Sequence, residues 1–175
     1  MVAIEELVIL AKKRDADAFT KLMQTQMQNM YKTARALLEN DEDAADAISD
    51  AILACWEKLD QLKNPEYFRT WMTRILINKC NDILRKKKDL YFIGDEPREI
   101  PFSPQEYDNV EWLETVKGLD KKYRMILILY YVNGLKTTDI SAVLHIPVST
   151  VRTRLSRARD QLALLYQLEA GGGSI

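Results

Sequence analysis

Two stretches of this chain carry side chains suited to holding nucleic acid. Between Asn64 and Lys88, Arg69, Arg74, Lys79, Arg85, Lys86, Lys87 and Lys88 stand against only Glu66 and Asp82, and Tyr67, Phe68 and Trp71 crowd near the start. Cations that track a phosphate backbone, with aromatic faces on which unpaired bases stack, are what a single-stranded surface requires. Between Val148 and Arg159 the arginines 152, 154, 157 and 159 occur with no acid, and Ser149, Thr150, Thr153 and Ser156 lie among them. Arginines and short hydroxyl side chains at the start of a helix suit the edges of paired bases and the phosphates beside them. The plainer alternative for each stretch is a core helix with a solvated basic face.

The chain as a whole gives no general attraction to nucleic acid, since its formal net charge is −1 over 175 residues. The sign is segregated instead. From Glu39 to Asp60, Lys58 is the only cation among eight acids, and from Asp89 to Glu114 only Arg98 opposes another eight. Alternating acidic and basic blocks imply separate surfaces for separate partners. The single histidine, His145, argues against a His-ligated metal site or a His-based triad. Cys55 and Cys80 stand apart, without a CxxC or a nearby histidine, and are expected to be small buried residues in a reducing compartment. No catalytic constellation, metal site or cofactor is expected. Met1 to Leu10 is too short and too acidic for a signal peptide, and no apolar run approaches the ~20 residues of a membrane span. The expected location is the cytoplasm.

The elements that must position these residues are all helical. Hydrophobic content of 47% suffices for packed cores, and no period-two pattern of useful length occurs. The expected fold class is all-α, two small helical domains joined by an acidic, proline-containing linker. Glycines 94, 118, 134 and 171–173 fall between the expected helices. A short helix is predicted over Ile4 to Lys13. A longer one follows, capped by Asp15 or Asp17, with Phe19, Leu22, Met23, Met30, Tyr31, Ala34, Leu37 and Leu38 inward. Asn40 and Asp41 cap the third, with Ala44, Ala45, Ile48, Ile52, Cys55, Trp56 and Leu59 inward, leaving Asp46, Ser49, Asp50 and Leu53 outside. Asn64 as N-cap and Pro65 at the first position open the basic helix, whose apolar stripe is Phe68, Met72, Ile75, Leu76 and Ile83. The expected divisions are a first domain 1–88, a linker 89–104, a second domain 105–168 and a flexible tail 169–175.

In the second domain a helix ending at Gly118 precedes one capped by Asp120, which continues through Tyr131 to Asn133-Gly134. A short helix from Thr137 to Leu144, a turn through His145 and Ile146, and a last helix opened by Pro147 then have the anatomy of a helix-turn-helix. Ile140, Val143 and Leu144 would pack on Val151, Leu155 and Ala158. That turns Ser149, Arg152, Thr153, Ser156 and Arg157 outward. Ser149, Thr150, Arg152 and Thr153 are base-edge candidates, while Arg154, Arg157 and Arg159 suit the DNA backbone.

Both halves resemble one family, the extracytoplasmic-function (group IV) sigma factors of bacterial RNA polymerase. DEDAADAISDAILACW is similar to the helix by which their domain 2 docks on the polymerase clamp. FRTWMTRILINKCNDILRKKK follows the pattern F-x-x-W-(L/M)-x-x-I-x-x-N-x-x-x-D-x-x-R, and KYRMILILYYVNGLKTTDISAVLHIPVSTVRTRLSRARDQL resembles domain 4. The resemblance implies that Asp46, Ser49, Asp50 and Leu53 belong to a polymerase-docking face. It implies that Lys63, Asn64, Arg69, Thr70, Trp71, Arg74 and Asn78 lie where the −10 element is read and opened, beside the cations Arg85, Lys86 and Lys87. Asp82 would order neighbouring cations rather than touch DNA. Ser149, Arg152, Thr153, Ser156 and Arg157 would face the −35 element. The chain departs from the family in having His145 and Ser149 where glycine is usual. Lys136 replaces a common Ser or Thr cap, for which Thr137 could substitute, and Ser49 is shorter than the usual Gln.

The implied function is transcription initiation: binding core RNA polymerase, directing it to bipartite promoters through duplex −35 and single-stranded −10 contacts, and helping to open the DNA. The resemblance also implies control by an anti-sigma factor, often membrane-bound. Two other functions fit the residues alone. A stand-alone helix-turn-helix regulator with a helical sensor or dimerisation domain would footprint duplex DNA without polymerase. A helical adaptor would bind DNA weakly and without salt dependence.

Overall fold

The computed structural model describes residues 2–91 and 110–172, with side chains for 2–87 and 114–167. Every regular element among the described residues is helical, and none of these helices is long and apolar enough to cross a membrane. The chain divides into two units, Met1–Phe102 and Ser103–Ile175.

The first unit holds α1 (Ile4–Lys12), α2 (Ala16–Leu37), α3 (Asp41–Lys58) and α4 (Phe68–Tyr91). Asp15 caps α2 by accepting from the Ala18 amide at 3.1 Å, and Asn40 caps α3 by accepting from the Asp43 amide at 2.8 Å. These bonds satisfy amides that a helix start otherwise leaves unpaired. α2 buries Phe19, Leu22, Met23, Met30, Ala34 and Leu37 as its periodicity requires. Along α3 the buried positions are Ala44, Ala47, Ile48, Ala51, Ala54 and Cys55, whereas Ala45, expected inside, is exposed. Alanines at three- and four-residue spacing leave room for α4 to approach closely. That stripe, not the bulkier one through Ala45, is therefore the packed face. α4 answers with Phe68, Met72, Thr73, Leu76, Ile77 and Cys80, while Ile75 and Ile83 are only half-buried. Both cysteines are fully buried, and desolvation pushes the Cys55 thiol up to about 12.

The start of the basic helix differs from expectation. Asn64 makes no side-chain cap bond; its backbone carbonyl accepts from the Tyr67 amide at 3.0 Å, closing a tight turn over Pro65–Tyr67 before α4 begins at Phe68. Such a 3₁₀ turn satisfies the same amides by a shorter route. At the α2–α3 corner lies a charge the periodicity does not announce. Arg35 is buried, donates from Nη1 to the Leu38 carbonyl at 3.1 Å, and lies 3.2 Å by Nε from Asp41 Oδ1. The Tyr31 hydroxyl donates to that same oxygen at 2.7 Å. Burial and the carboxylate together push the phenol up to about 12.

The second unit holds α5 (Val110–Lys117), α6 (Lys121–Leu127), α7 (Thr137–Leu144) and α8 (Val148–Gly172). The helix expected to run through Tyr131 instead ends at Leu127 and passes into a π turn, Ile128–Val132, closed by Asn133 N–H donating to the Ile128 carbonyl at 3.0 Å. Asp120 gives no side-chain cap; its carbonyl accepts from the Tyr123 and Arg124 amides. Lys136 takes the N-cap position of α7 without a side-chain bond. α7 itself has the expected limits, and Ile140, Val143, Val151, Leu155 and Ala158 are buried between α7 and α8.

Both long helices outlast their expected ends. α4 reaches Tyr91 rather than Lys88, and α8 reaches Gly172 rather than Leu168, taking in Gly171 and Gly172 of the expected tail. The remainder of the linker, the expected start of the second domain at Gln105, and residues 173–175 lie outside the described residues.

His145 adopts φ 57° and ψ 43°, the left-handed conformation, directly after α7. Its amide donates to the Ser141 carbonyl, and Ser141 Oγ donates to the Ile146 carbonyl at 2.5 Å. The turn is thus held by bonds that do not involve the exposed imidazole. His145→Gly is expected to stabilise the unit by about 0.5–1 kcal/mol, the relief of left-handed strain less the added freedom of the unfolded chain. A higher urea midpoint at unchanged slope would show it.

Candidate nucleic-acid interface

In the first unit the α3–α4 connection exposes Lys63 and Asn64, and after the Pro65–Tyr67 turn α4 presents Thr70, Trp71, Arg74 and Asn78. These four fall within one stripe of helical spacing, opposite buried Met72, Leu76 and Cys80. Thr70 and Trp71 are half-buried, and Arg74 and Asn78 are exposed. The Trp71 ring rests against Phe68 with centroids 6.1 Å apart. Phe68 is a core residue at 1% exposure, so it supports the stripe without offering a stacking face, while Tyr67 is 57% exposed. Asn81, one turn beyond Asn78 and exposed, extends the same face.

The remaining cations separate. Arg69 faces away from the Trp71 stripe and lines a cleft of about 350 Å³ with Ile4, Glu5, Pro65, Glu66 and Phe68. Arg85 donates to Asp82, and Lys87 is paired with Asp43, which also accepts from Asn40 Nδ2 at 2.8 Å. Lys86 is exposed. The structure therefore groups Lys63, Asn64, Thr70, Trp71, Arg74 and Asn78, and sets Arg69 and Lys87 apart from them. On α3, Asp46, Ser49, Asp50 and Leu53 are all exposed at positions i, i+3, i+4 and i+7, one continuous stripe. Leu53 is 58% exposed, an apolar contact in an acidic setting.

In the second unit Ser149, Arg152, Thr153, Ser156 and Arg157 share the exposed face at the start of α8, while Thr150 and Arg154 are half-buried at its margins. The Thr153 hydroxyl donates to the Ser149 carbonyl at 3.0 Å, which leaves its lone pairs outward. Arg159, expected to suit the DNA backbone, has another task. Its Nε donates to the Tyr131 hydroxyl at 2.7 Å, and its guanidinium lies 5.3 Å and 5.6 Å from the Tyr130 and Tyr131 ring centres. The hydrogen bond to Tyr131 raises the already basic guanidinium further. This cage follows from the π turn, whose wider register sets two successive tyrosines edge to face, 4.9 Å apart.

Two family models match the chain, Sigma-70 region 2 over residues 22–89 and Sigma-70, region 4 over residues 110–162. The chain is 30% identical over 133 residues to RNA polymerase sigma factor SigV of Bacillus subtilis, covering 75% of this chain and 80% of the relative. It is 27% identical over 178 residues to ECF RNA polymerase sigma factor SigW of the same organism, covering 91% and 94%. Among solved structures, the sigma factor RpoE in complex with the anti-sigma factor NepR from Bartonella quintana shares the fold at a TM-score of 0.71. That likeness has 22% identity and covers 85% of this chain and 96% of the other.

Proposed function

From a chain that belongs to the extracytoplasmic-function branch of the sigma-70 family and is a transcription-initiation sigma factor, we propose that the two units divide promoter recognition between them. The first domain, 1–88, docks on core polymerase through Asp46, Ser49, Asp50 and Leu53. It reads and opens the −10 element through Lys63, Asn64, Thr70, Trp71, Arg74 and Asn78, with Arg69, Arg85, Lys86 and Lys87 at the periphery. The second, 105–168, reads the −35 element through Ser149, Thr150, Arg152, Thr153, Ser156 and Arg157, with Arg154 at the margin. The segment after Tyr91, through 104, is the tether.

One observation carries this division. The exposed arginine and hydroxyl face of α8 and the Trp71 stripe of α4 lie on separate units, each built on a packed helix. A helix face suits a duplex groove, while an aromatic beside cations suits a parted strand. Tethering lets two modest contacts act together when the promoter elements are correctly spaced. Opening then draws on base capture to offset the few kcal/mol of unstacking. The chain contributes no covalent step; phosphodiester synthesis belongs to the polymerase. An anti-sigma factor, as in the complex of RpoE with NepR, is the natural regulator of such surfaces.

The test is transcription by purified core polymerase with and without the full chain, with permanganate reporting unpaired thymines. Promoter-dependent initiation and opening that require the chain are expected. A footprint on duplex DNA without polymerase, and no opening with it, would favour the stand-alone regulator.

A further inference from the structure

The side chains that face the α3–α4 connection from the other side of the first unit have no place in the interface described above. Among the described residues Arg14 is one of two non-glycine residues with positive φ, at 67°, a conformation that strains any residue bearing a Cβ. Glycine is the residue such a turn favours, so an arginine there needs a reason in its side chain. That side chain converges on the end of α3. Nη1 donates to the Trp56 carbonyl at 2.6 Å, Nη2 donates to Asp60 Oδ2 at 2.9 Å, and the guanidinium lies 5.1 Å from the Trp56 ring centre. Phe19 backs the same ring at 4.9 Å. Two residues earlier, Lys12 Nζ donates to the Leu62 carbonyl at 2.5 Å.

The connection is thus held from two sides. Leu59 and Leu62 are buried beneath it, which fixes its depth but not the direction of its peptide planes. Lys12 supplies the direction. The Leu62–Lys63 peptide is planar, so holding the Leu62 carbonyl oxygen also sets the amide and Cα of Lys63. Exposed Lys63 and Asn64 follow directly, and a recognition residue on a loop is only as precise as the bonds that support it. The surface ion pair with Asp60 adds little stability of its own, and relief of the strained backbone offsets its loss.

We propose that Lys12 and Arg14 are positioning residues for promoter reading. On this proposal the α1–α2 turn clamps the α3–α4 connection, so that Lys63 and Asn64 meet the parted strand in one register. It rests on the assignment of Lys63 and Asn64 to the −10 site. The experiment uses full-length chain with core polymerase on a promoter library randomised separately across the −10 and −35 segments, with transcripts sequenced. In Lys12→Met/Arg14→Gly the enrichment of preferred −10 bases is expected to fall at least about fivefold, against an unchanged −35 profile and thermal midpoint. With Lys12→Arg, which keeps a donor for the Leu62 carbonyl, sharpness should return. A −10 profile as sharp as the wild type overturns the proposal. So does blurring of both profiles together with a lower midpoint, which would make the clamp merely structural. A wild type that initiates but selects no −10 bases instead overturns the underlying site assignment, and this proposal with it.

Discussion

Replacing Arg152 by alanine is expected to weaken the holoenzyme's hold on duplex −35 DNA by about tenfold, and by as much as ~100-fold if the guanidinium spans a base edge with two bonds. Arg152 is exposed at the start of α8, beside rather than within the buried stripe of Val151 and Leu155, so its removal leaves the packing intact. The loss should be greatest on the preferred −35 sequence and smaller on altered ones. Arg157→Ala, one turn and a half further along, should weaken all sequences alike and reduce the salt slope by about 1, as a phosphate contact does. Arg159→Ala is the instructive control. Its side chain belongs to Tyr130 and Tyr131, so duplex affinity should hold within about twofold while the thermal midpoint drops. Fluorescence anisotropy on −35 duplexes at several salt concentrations, with thermal unfolding alongside, separates these outcomes. Equal losses from Arg152→Ala and Arg159→Ala would mean that the face has been misread.

The contrast between those two arginines shows what the sequence can and cannot disclose. Four arginines within Val148–Arg159 look alike in composition, and helical period says which point away from Leu155. It does not say which one finds a partner 28 residues distant. Lys87 and Asp43 are the same case in the first unit, as is Arg35, which the pattern left without a role and the structure buries beside Asp41. Helix limits set by local chemistry were legible: the Asp15 and Asn40 caps, and α7 between Lys136 and His145. The π turn was not. Its extra residue per turn leaves the apolar pattern of Tyr123, Ile126 and Leu127 undisturbed until the helix has already changed register. Ala45 failed for a related reason. Periodicity accepts either neighbouring alanine stripe, and only the close approach of α4 selects Ala44, Ala47, Ala51 and Ala54. The candidate surfaces could therefore be located by face from sequence, whereas the cations available on them depend on tertiary partners.

Trp71→Ala is expected to reduce promoter opening by tenfold or more, with initial binding of the closed promoter changed by less than about twofold. Stacking of one base on an aromatic ring is worth ~1–3 kcal/mol, and that contact exists only once the strand has parted. An interaction made after opening and absent before it lowers the barrier or the open-state energy without tightening the first encounter. The ring is half-buried and backed by Phe68, so its plane is set before DNA arrives and little entropy remains to be lost on stacking. Removing it also uncovers part of Phe68, which makes a stability control necessary. Trp71→Phe supplies one, since it keeps an aromatic face and most of that contact; it should restore the larger part of opening. Arg74→Ala, on the same exposed stripe, should weaken opening less steeply and in a salt-dependent way, because a cation at that position meets phosphate rather than a base face. The measurement is permanganate reactivity of −10 thymines against time, with closed-complex formation followed separately at low temperature. If alanine at Trp71 depressed both stages equally, or if phenylalanine failed to restore opening while folding normally, the ring would be a packing element. The work of parting the strands would then have to be sought along the Asn78 and Asn81 end of the helix.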